Sequence, residues 1–374
     1  LEVAELIPIN KPILGHEEIE AVMRVLESGV LTNASAEGGP LVKVFEEELA
    51  KFMRAKDAVV VNSGTAALLV SLLAMNVKPG DEVVVPSFTF AATAGAVLLA
   101  GARPVFVDID LRTYNMHPDA FRKAITNRTK VVIPVDLYGL PAEMDEIREE
   151  AEKHGIAVIE DACQSQGASY KGRMAGTLGD AGCLSFYPGK VMTTGEGGAI
   201  ITDDEELAEK MRMIRTHGQR IGYDSILLGG NFRMPEIEAA IGIVQLKKLP
   251  AFLEKRARNA RMLMERLSGK GLFLPEVPQN CVHNWYLFTV RFSSEKEREA
   301  VRERMRREGI GATVYYPTPV HRLPFYDSLG YGKVDLPNSE LASKTVLSLP
   351  VNPLVEERDI DRMSEIISQT LRSV

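Results

Sequence analysis

Cysteine is scarce in this chain and never closely paired. Cys163, Cys183 and Cys281 are the only three among 374 residues; they form no C-x-x-C pair and leave an odd thiol. This excludes a disulfide framework and a zinc knuckle, and fits a reducing compartment. Long apolar runs are missing as well. The best of them, Ala91 to Ala102, contains Thr93 and two glycines and stops short of the roughly 18 to 20 residues a membrane span requires. No basic region opens the chain, where Glu2 and Glu5 stand among the first residues, so a secretory signal is not expected and the cytoplasm is. There is no concentrated basic tract either. With 44 Lys and Arg against 51 Asp and Glu, and a net charge of -7, the chain lacks the clustered cations that sequence-independent nucleic-acid binding uses to displace counterions. A small-molecule partner is expected instead. Repeats and low-complexity tracts are absent. What remains is an average globular composition, 45% hydrophobic and 25% charged, in a chain long enough for roughly two or three domains.

From about residue 57 to 202, short β-branched runs alternate with helical stretches. The runs are Ala58 to Val61, Glu82 to Val85, Pro104 to Val107, Lys130 to Val135, Ala157 to Glu160, Cys183 to Phe186 and Ala199 to Thr202; Thr65 to Ala74 and Glu143 to His154 show the helical pattern best. Such alternation predicts βαβ units and a mainly parallel sheet of seven strands, an α/β domain. Asp204 to Ile214 then reads as a helix, and Pro235 to Leu267 as a long one that Pro250 should break or kink, since proline removes a hydrogen bond and clashes with the preceding turn. The domain boundary is placed there, with a large domain at 1–250 and a small α+β domain at 251–374. In the second, Trp285 to Phe292 and Thr313 to Tyr316 read as strands, Ser294 to Glu308 and Glu356 to Leu371 as helices. The first 55 residues hold a helix at Glu17 to Leu26, a Gly- and Ala-rich stretch at Asn33 to Pro40, and a helix from Val42.

Three stretches carry candidate chemistry. Val59 to Leu68 places Ser63, Gly64 and Thr65 where a buried strand turns into a helix, and free N–H groups with the positive end of a helix dipole make such a turn an anion site, most often for phosphate. Ser63 reads equally well as a plain N-cap. Ile159 to Gln164 places Glu160 and Asp161 at the carboxyl end of a strand, on opposite faces, so at most one of them shares a given pocket. A carboxylate there suits a buried cationic nitrogen; it also suits a helix cap. Ser185 to Gly198 sets Lys190 after a buried strand, between apolar and glycine-rich segments. Desolvation there would leave more of it as the free amine that a carbonyl needs for Schiff-base formation, although singly a lysine is more often one whose stem packs while its head reaches water. A phosphate cup, an acid for a ring nitrogen and an activated lysine together are the parts of a pyridoxal phosphate (PLP) site.

The order SGTAAL, PSFTFAAT, VIEDACQ, SFYPGK-x-x-TTGEGG and GGNFRM closely resembles the DegT/DnrJ/EryC1/StrS family of PLP-dependent sugar aminotransferases, from Ile7-Pro8 to Leu349-Pro350. The resemblance implies an aspartate-aminotransferase-like fold (PLP fold type I) and a homodimer with a shared active site. It implies that Lys190 forms the internal aldimine and moves protons as acid and base, with pyridoxamine phosphate as the cofactor's other form. Asp161 would salt-bridge the pyridine nitrogen, Gln164 would reach the ring's phenolic oxygen, and Phe90 would stack on the ring. Ser63, Gly64, Thr65, Ala66 and Ser185 would hold the phosphate, joined by Asn231 from the neighbouring subunit. Arg233 is the candidate for the amino donor's carboxylate, and Tyr316 and His321 are candidate substrate contacts. The implied reaction moves an amino group from glutamate to the keto group of a nucleotide-linked deoxysugar, in amino-sugar biosynthesis for a surface polysaccharide or a glycosylated metabolite.

Two stretches depart from the family pattern. Where many members read PVHLYG, this chain has Pro134-Val135-Asp136-Leu137-Tyr138-Gly139, which changes the local charge at a usual sugar contact. Ala34 to Pro40 is longer than the common connection, in a region that lies near the substrate mouth in the family. A family dehydratase, a cyclitol aminotransferase and a cofactor-binding regulator are the rival readings. The dehydratase branch replaces the lysine by histidine, so Lys190 speaks against it, and a regulator needs no proton-shuttling lysine. His16-Glu17 begins like H-E-x-x-H, but Glu20 stands where the second histidine belongs, so no metal site is expected. Lys255, Arg256, Arg258, Arg261 and Arg266 read as a solvated helix face, Met211, Met213, Met262 and Met264 as core or interface filler, and Cys163 as a small buried thiol.

Overall fold

The β-branched runs become strands because each can bury both faces under helices. A computed structural model describes residues 6–373, so Glu2 and Glu5 lie outside the described residues. After helices α1 (His16–Ser28) and α2 (Pro40–Met53), the chain alternates β1 (Asp57–Val61), α3 (Gly64–Ala74), β2 (Glu82–Pro86), α4 (Ala91–Leu99), β3 (Arg103–Val107), α5 (Pro118–Ala124), β4 (Thr129–Val132), α6 (Met144–His154) and β5 (Ala157–Asp161). Two short strands follow, β6 (Ser169–Tyr170) and β7 (Arg173–Met174), then β8 (Ala181–Ser185), β9 (Gly198–Thr202) and α7 (Glu205–Arg215). The seven runs read from sequence form one sheet in the order β1-β9-β8-β5-β4-β2-β3, in which β9 alone runs antiparallel to its neighbours.

Alternate side chains of each strand enter different cores. Val59 and Val61 of β1 pack with Leu68 and Leu72 of α3 on one face, while Ala58 and Val60 join Phe45 of α2 and Phe186 on the other. Each such fully buried valine, leucine or phenylalanine contributes about 1.5–3 kcal/mol. Residues at and after the ends of β1, β2, β5 and β8 come together at the carboxyl edge of the sheet.

Helix α8 (Glu236–Leu267) runs unbroken for 32 residues with Pro250 inside it, against the expected break. Proline removes one N–H from the ladder, but Pro250 lies exposed while Leu246, Leu249 and Phe252 are buried along the other side. Packing against α1 and α2 holds the helix across the missing bond. Beyond it come β10 (Cys281–Val282), which returns to pair with β6, then β11 (Phe288–Arg291), α9 (Glu295–Arg307), α10 (Pro324–Ser328), α11 (Pro337–Thr345), β12 (Val346–Leu349) and α12 (Glu357–Leu371); β11 and β12 pair antiparallel.

Two expected strands are shorter than read. Trp285 stands at φ +56° with its N–H held by His283 Nδ1 at 2.9 Å, so the chain turns there and the strand starts at Phe288. Thr313 to Tyr316 keeps one bridge, Thr313 to Ser348. Arg256 is buried rather than solvated, and its guanidinium donates to the Trp285 and Tyr286 carbonyls and to Asn10 Oδ1. Among the described residues no helix is long and apolar enough to cross a membrane.

Candidate active site

The carboxyl edge of the sheet opens on a cavity of about 320 Å³, lined among others by Ser63, Thr65, Phe90, Asp161, Gln164, Ser185, Lys190 and Tyr316. That is at the lower end of the volumes that hold small-molecule ligands.

One wall is the start of α3. Ser63 is its N-cap and Ser63 Oγ accepts the Ala66 N–H at 3.1 Å, so the plain cap reading holds for this hydroxyl. The N–H groups of Gly64 and Thr65 have no acceptor within the helix, as at any helix start, and these two residues line the cavity. A side chain at Gly64 would stand 2.8 Å from Ser185 Cβ and 2.9 Å from Cys163 Sγ, so only glycine lets the three segments close into a cup. Ala66 is buried behind it, its N–H already held by Ser63, and does not line the cavity.

The floor is the end of β5. Asp161 is 6% exposed; its Oδ2 accepts from Thr93 Oγ1 at 2.8 Å and its Oδ1 from the Cys163 N–H at 3.3 Å. Burial, and then Asp161, push the Cys163 thiol well above its ordinary range, so it stays neutral and is not a ready nucleophile. Gln164 Oε1 accepts the Tyr138 N–H at 2.9 Å, which turns its amide nitrogen towards Tyr316, 3.2 Å from the phenol oxygen. Tyr138 itself sits at φ +61°, beside Gly139 at φ +104°, where a side chain would strike Asn284 Oδ1 at 1.8 Å. This corner holds Gln164, and the Tyr138 hydroxyl donates to the Tyr315 carbonyl above it. Burial, then Tyr286 and Asp161, push the Tyr316 hydroxyl well above its ordinary value, so the cavity edge carries a neutral phenol.

Lys190 follows β8. It is half-buried, with Nζ 4.8 Å from the centre of the Tyr286 ring, and among the described residues no carboxylate lies at ion-pair distance from it. Phe90, the N-cap of α4, is 58% exposed and its ring centre lies 6.0 Å from that of Tyr316. Thr89, Thr93, Tyr286 and Tyr315 also line the cavity and were not foreseen. Thr93 was detectable as the one hydroxyl in the apolar run of α4; nothing local marks the two tyrosines, which arrive from more than 90 residues downstream of Lys190.

Other expected residues lie elsewhere. Asn231 is exposed, outside the cavity of its own chain, and Arg233 donates from Nη1 to Thr216 Oγ1 at 2.8 Å, also outside it. The Ala34 to Pro40 stretch packs on α7, where the Ala36 carbonyl accepts from Arg215 at 2.6 Å and the Ala34 carbonyl from Thr216 at 3.1 Å, rather than at this cavity. Asp136 is fully buried and faces the interior beside Glu160, so it is no sugar contact. His321, expected to touch substrate, does not line the cavity either. It is fully buried with Nδ1 2.6 Å from Ser87 Oγ, and Nε2 is 3.5 Å from Glu340. Ser87 Oγ also accepts the His321 backbone N–H at 3.3 Å, so the serine holds both the backbone and the ring of this residue.

Burial, and then Arg322, hold the His321 ring below its ordinary value. Below about pH 6.5 the unfolded chain takes a proton the folded ring resists, so stability falls as pH falls. Urea midpoints of the wild type should drop by the equivalent of about 1 kcal/mol more than those of His321→Gln between pH 7 and 5.5; parallel curves would remove His321 as the cause.

Residues 12–368 match the DegT/DnrJ/EryC1/StrS aminotransferase family. The chain is 41% identical over 373 residues to the pleiotropic regulatory protein of Geobacillus stearothermophilus, covering 97% of this chain and 99% of that one. It is 41% identical over 343 residues to the UDP-N-acetyl-3-dehydro-alpha-D-glucosamine 3-aminotransferase of Acidithiobacillus ferrooxidans, covering 91% and 92%. The crystal structure of S. venezuelae DesV in complex with a ketimine intermediate superposes with a TM-score of 0.90 at 38% identity, over 94% of each chain.

Proposed function

Because the chain belongs to the DegT/DnrJ/EryC1/StrS aminotransferase family, we propose that it uses pyridoxal phosphate to move an amino group from glutamate to a nucleotide-linked keto deoxysugar. The observation that carries this reading is the meeting of Lys190, Asp161 and the start of α3 on one cavity. The donor set fits the cofactor: the Gly64 cup and the free N–H groups suit a phosphate ester, the buried Asp161 carboxylate a protonated ring nitrogen, and Lys190 a carbonyl. Gln164 Nε2, beside the Tyr316 hydroxyl, would suit a ring oxygen as hydrogen-bond donor, and the open face of Phe90 suits stacking.

When bound, pyridoxal phosphate supplies a carbonyl that takes up the amino group and a ring that delocalises the electrons freed at the donor carbon. Lys190 Nζ would be the amine that holds the cofactor's carbonyl carbon, and the base that would take the proton from the donor carbon and later return one. Asp161 would keep the ring nitrogen charged, and Ser63, Gly64, Thr65 and Ser185 would anchor the phosphate, holding the ring against Lys190. We further propose a homodimer in which Asn231 of one subunit reaches the phosphate in the other. The keto substrate of the Acidithiobacillus relative, a sugar on UDP, supports the acceptor class.

The Geobacillus relative's name favours a second reading, a cofactor-binding regulator. The visible spectrum of the purified protein, before and after glutamate, decides between them. An absorption band that bleaches with glutamate is the expected result. A band that glutamate leaves unchanged favours the regulator or another donor, and a protein that takes up no pyridoxal phosphate ends both readings.

A further inference from the structure

Asp161 is held by more than its own strand. Thr93 Oγ1 donates to Asp161 Oδ2 at 2.8 Å, and Thr89 Oγ1 stands 3.1 Å from Thr93 Oγ1. Both threonines are almost fully buried, at 2% and 1% exposure. A carboxylate accepts and cannot donate, so the single Thr93 proton points to Asp161 and the proton between the two hydroxyls must come from Thr89. The direction of the chain is thereby fixed: Thr89 to Thr93 to Asp161. Thr93 stands in the first turn of α4, which packs on α3, and Thr89 just before its N-cap Phe90, so the relay ties the carboxylate to the start of a packed helix.

We propose that the Thr89–Thr93 relay is the positioning device for Asp161, fixing the plane of its carboxylate towards the cavity so that it presents a lone pair to a cationic ring nitrogen. With Oδ2 taken by Thr93 and Oδ1 by the Cys163 N–H, the group has no freedom to turn, while each oxygen keeps a lone pair. The proposal rests on the cofactor reading above. Neither threonine touches the ring in this account; they act through Asp161.

The test compares Thr93→Val, which keeps the shape and removes the proton, with Thr93→Ser, which restores it, and with Thr89→Val. Pyridoxal phosphate is titrated into each apo protein, and the pH midpoint of the bound cofactor's visible band is recorded. Thr93→Val should bind about tenfold more weakly, the loss expected for one hydrogen bond to a charged group. Its band should titrate at higher pH, because a ring nitrogen that holds its proton less firmly repels the proton on the lysine-linked nitrogen less. Thr93→Ser should return both values to those of the wild type, and Thr89→Val should show a smaller change in the same direction. If Thr93→Val melts like the wild type and matches it in affinity and midpoint, or if Thr93→Ser behaves like Thr93→Val, the relay has no such role. A wild type that binds no pyridoxal phosphate overturns the cofactor reading itself, and with it this one.

Discussion

Replacing Lys190 by alanine is expected to lower amino-group transfer by about three to four orders of magnitude while leaving the fold intact. On the role proposed above, the size follows from losing a positioned acid–base group, about 10²–10⁴-fold, together with the amine that would hold the cofactor's carbonyl. The fold should survive because Lys190 is half-buried and, among the described residues, makes no ion pair, so its removal strands no charge. Lys190→Arg separates the two roles: it keeps a cation near the Tyr286 ring but offers neither a free amine nor a group that gives up its proton near neutral pH. It should be as inactive as alanine. Single-turnover measurement of the bound cofactor's spectrum on adding glutamate reads the loss directly, and a Lys190→Arg protein with activity within tenfold of the wild type would remove the lysine from the chemistry.

Much of the sheet was legible because its information is local. Each of the seven runs is short, six of them carry β-branched residues, and each contributes a strand to the central sheet. The candidate cavity was legible for a related reason: Asp161 and Ser185 end strands, and Ser63 and Lys190 follow them, at the same sheet edge, so sequence position translates into position in space. Residues that arrive by long-range packing were not. Tyr286 and Tyr315 reach the cavity through turns whose geometry no local pattern encodes, and His321 looked available because nothing in Tyr316 to His321 shows that the chain dives under β2 to meet Ser87. Pro250 misled for the opposite reason. The local rule is sound, but packing along the buried side of α8 outweighs one missing hydrogen bond.

Asp136 stands where the sequence resemblance leads one to expect a histidine, and its environment makes its own charge state measurable. Asp136 accepts the Ala142 N–H at 2.9 Å and the Ser165 hydroxyl at 2.9 Å, while the neighbouring Glu160 accepts the Leu178 N–H at 2.9 Å on Oε2 and, with every carboxyl ionised, has no donor at Oε1. Two fully buried carboxylates cannot both ionise at contact distance. Burial, then the Glu160 carboxyl, push Asp136 well above the ordinary range, so Asp136 keeps a proton and donates it to Glu160. The folded chain thus holds a proton that the unfolded chain releases above about pH 3.9, and stability falls as pH rises, by up to about 1.4 kcal/mol per unit, until the folded pair titrates. Asp136→Asn supplies the donor permanently. Ser165 can turn to the Ala162 carbonyl, already 3.3 Å away, so little else is lost. The variant should match the wild type within about 1 kcal/mol at pH 5 and gain on it by about 2–3 kcal/mol by pH 7. Asp136→Ala removes the donor and strands the Glu160 charge, costing about 3–5 kcal/mol at pH 7. Urea unfolding of the three proteins from pH 5 to 8 tests this; wild-type and Asp136→Asn curves that stay parallel across that range would mean that the pair holds no shared proton.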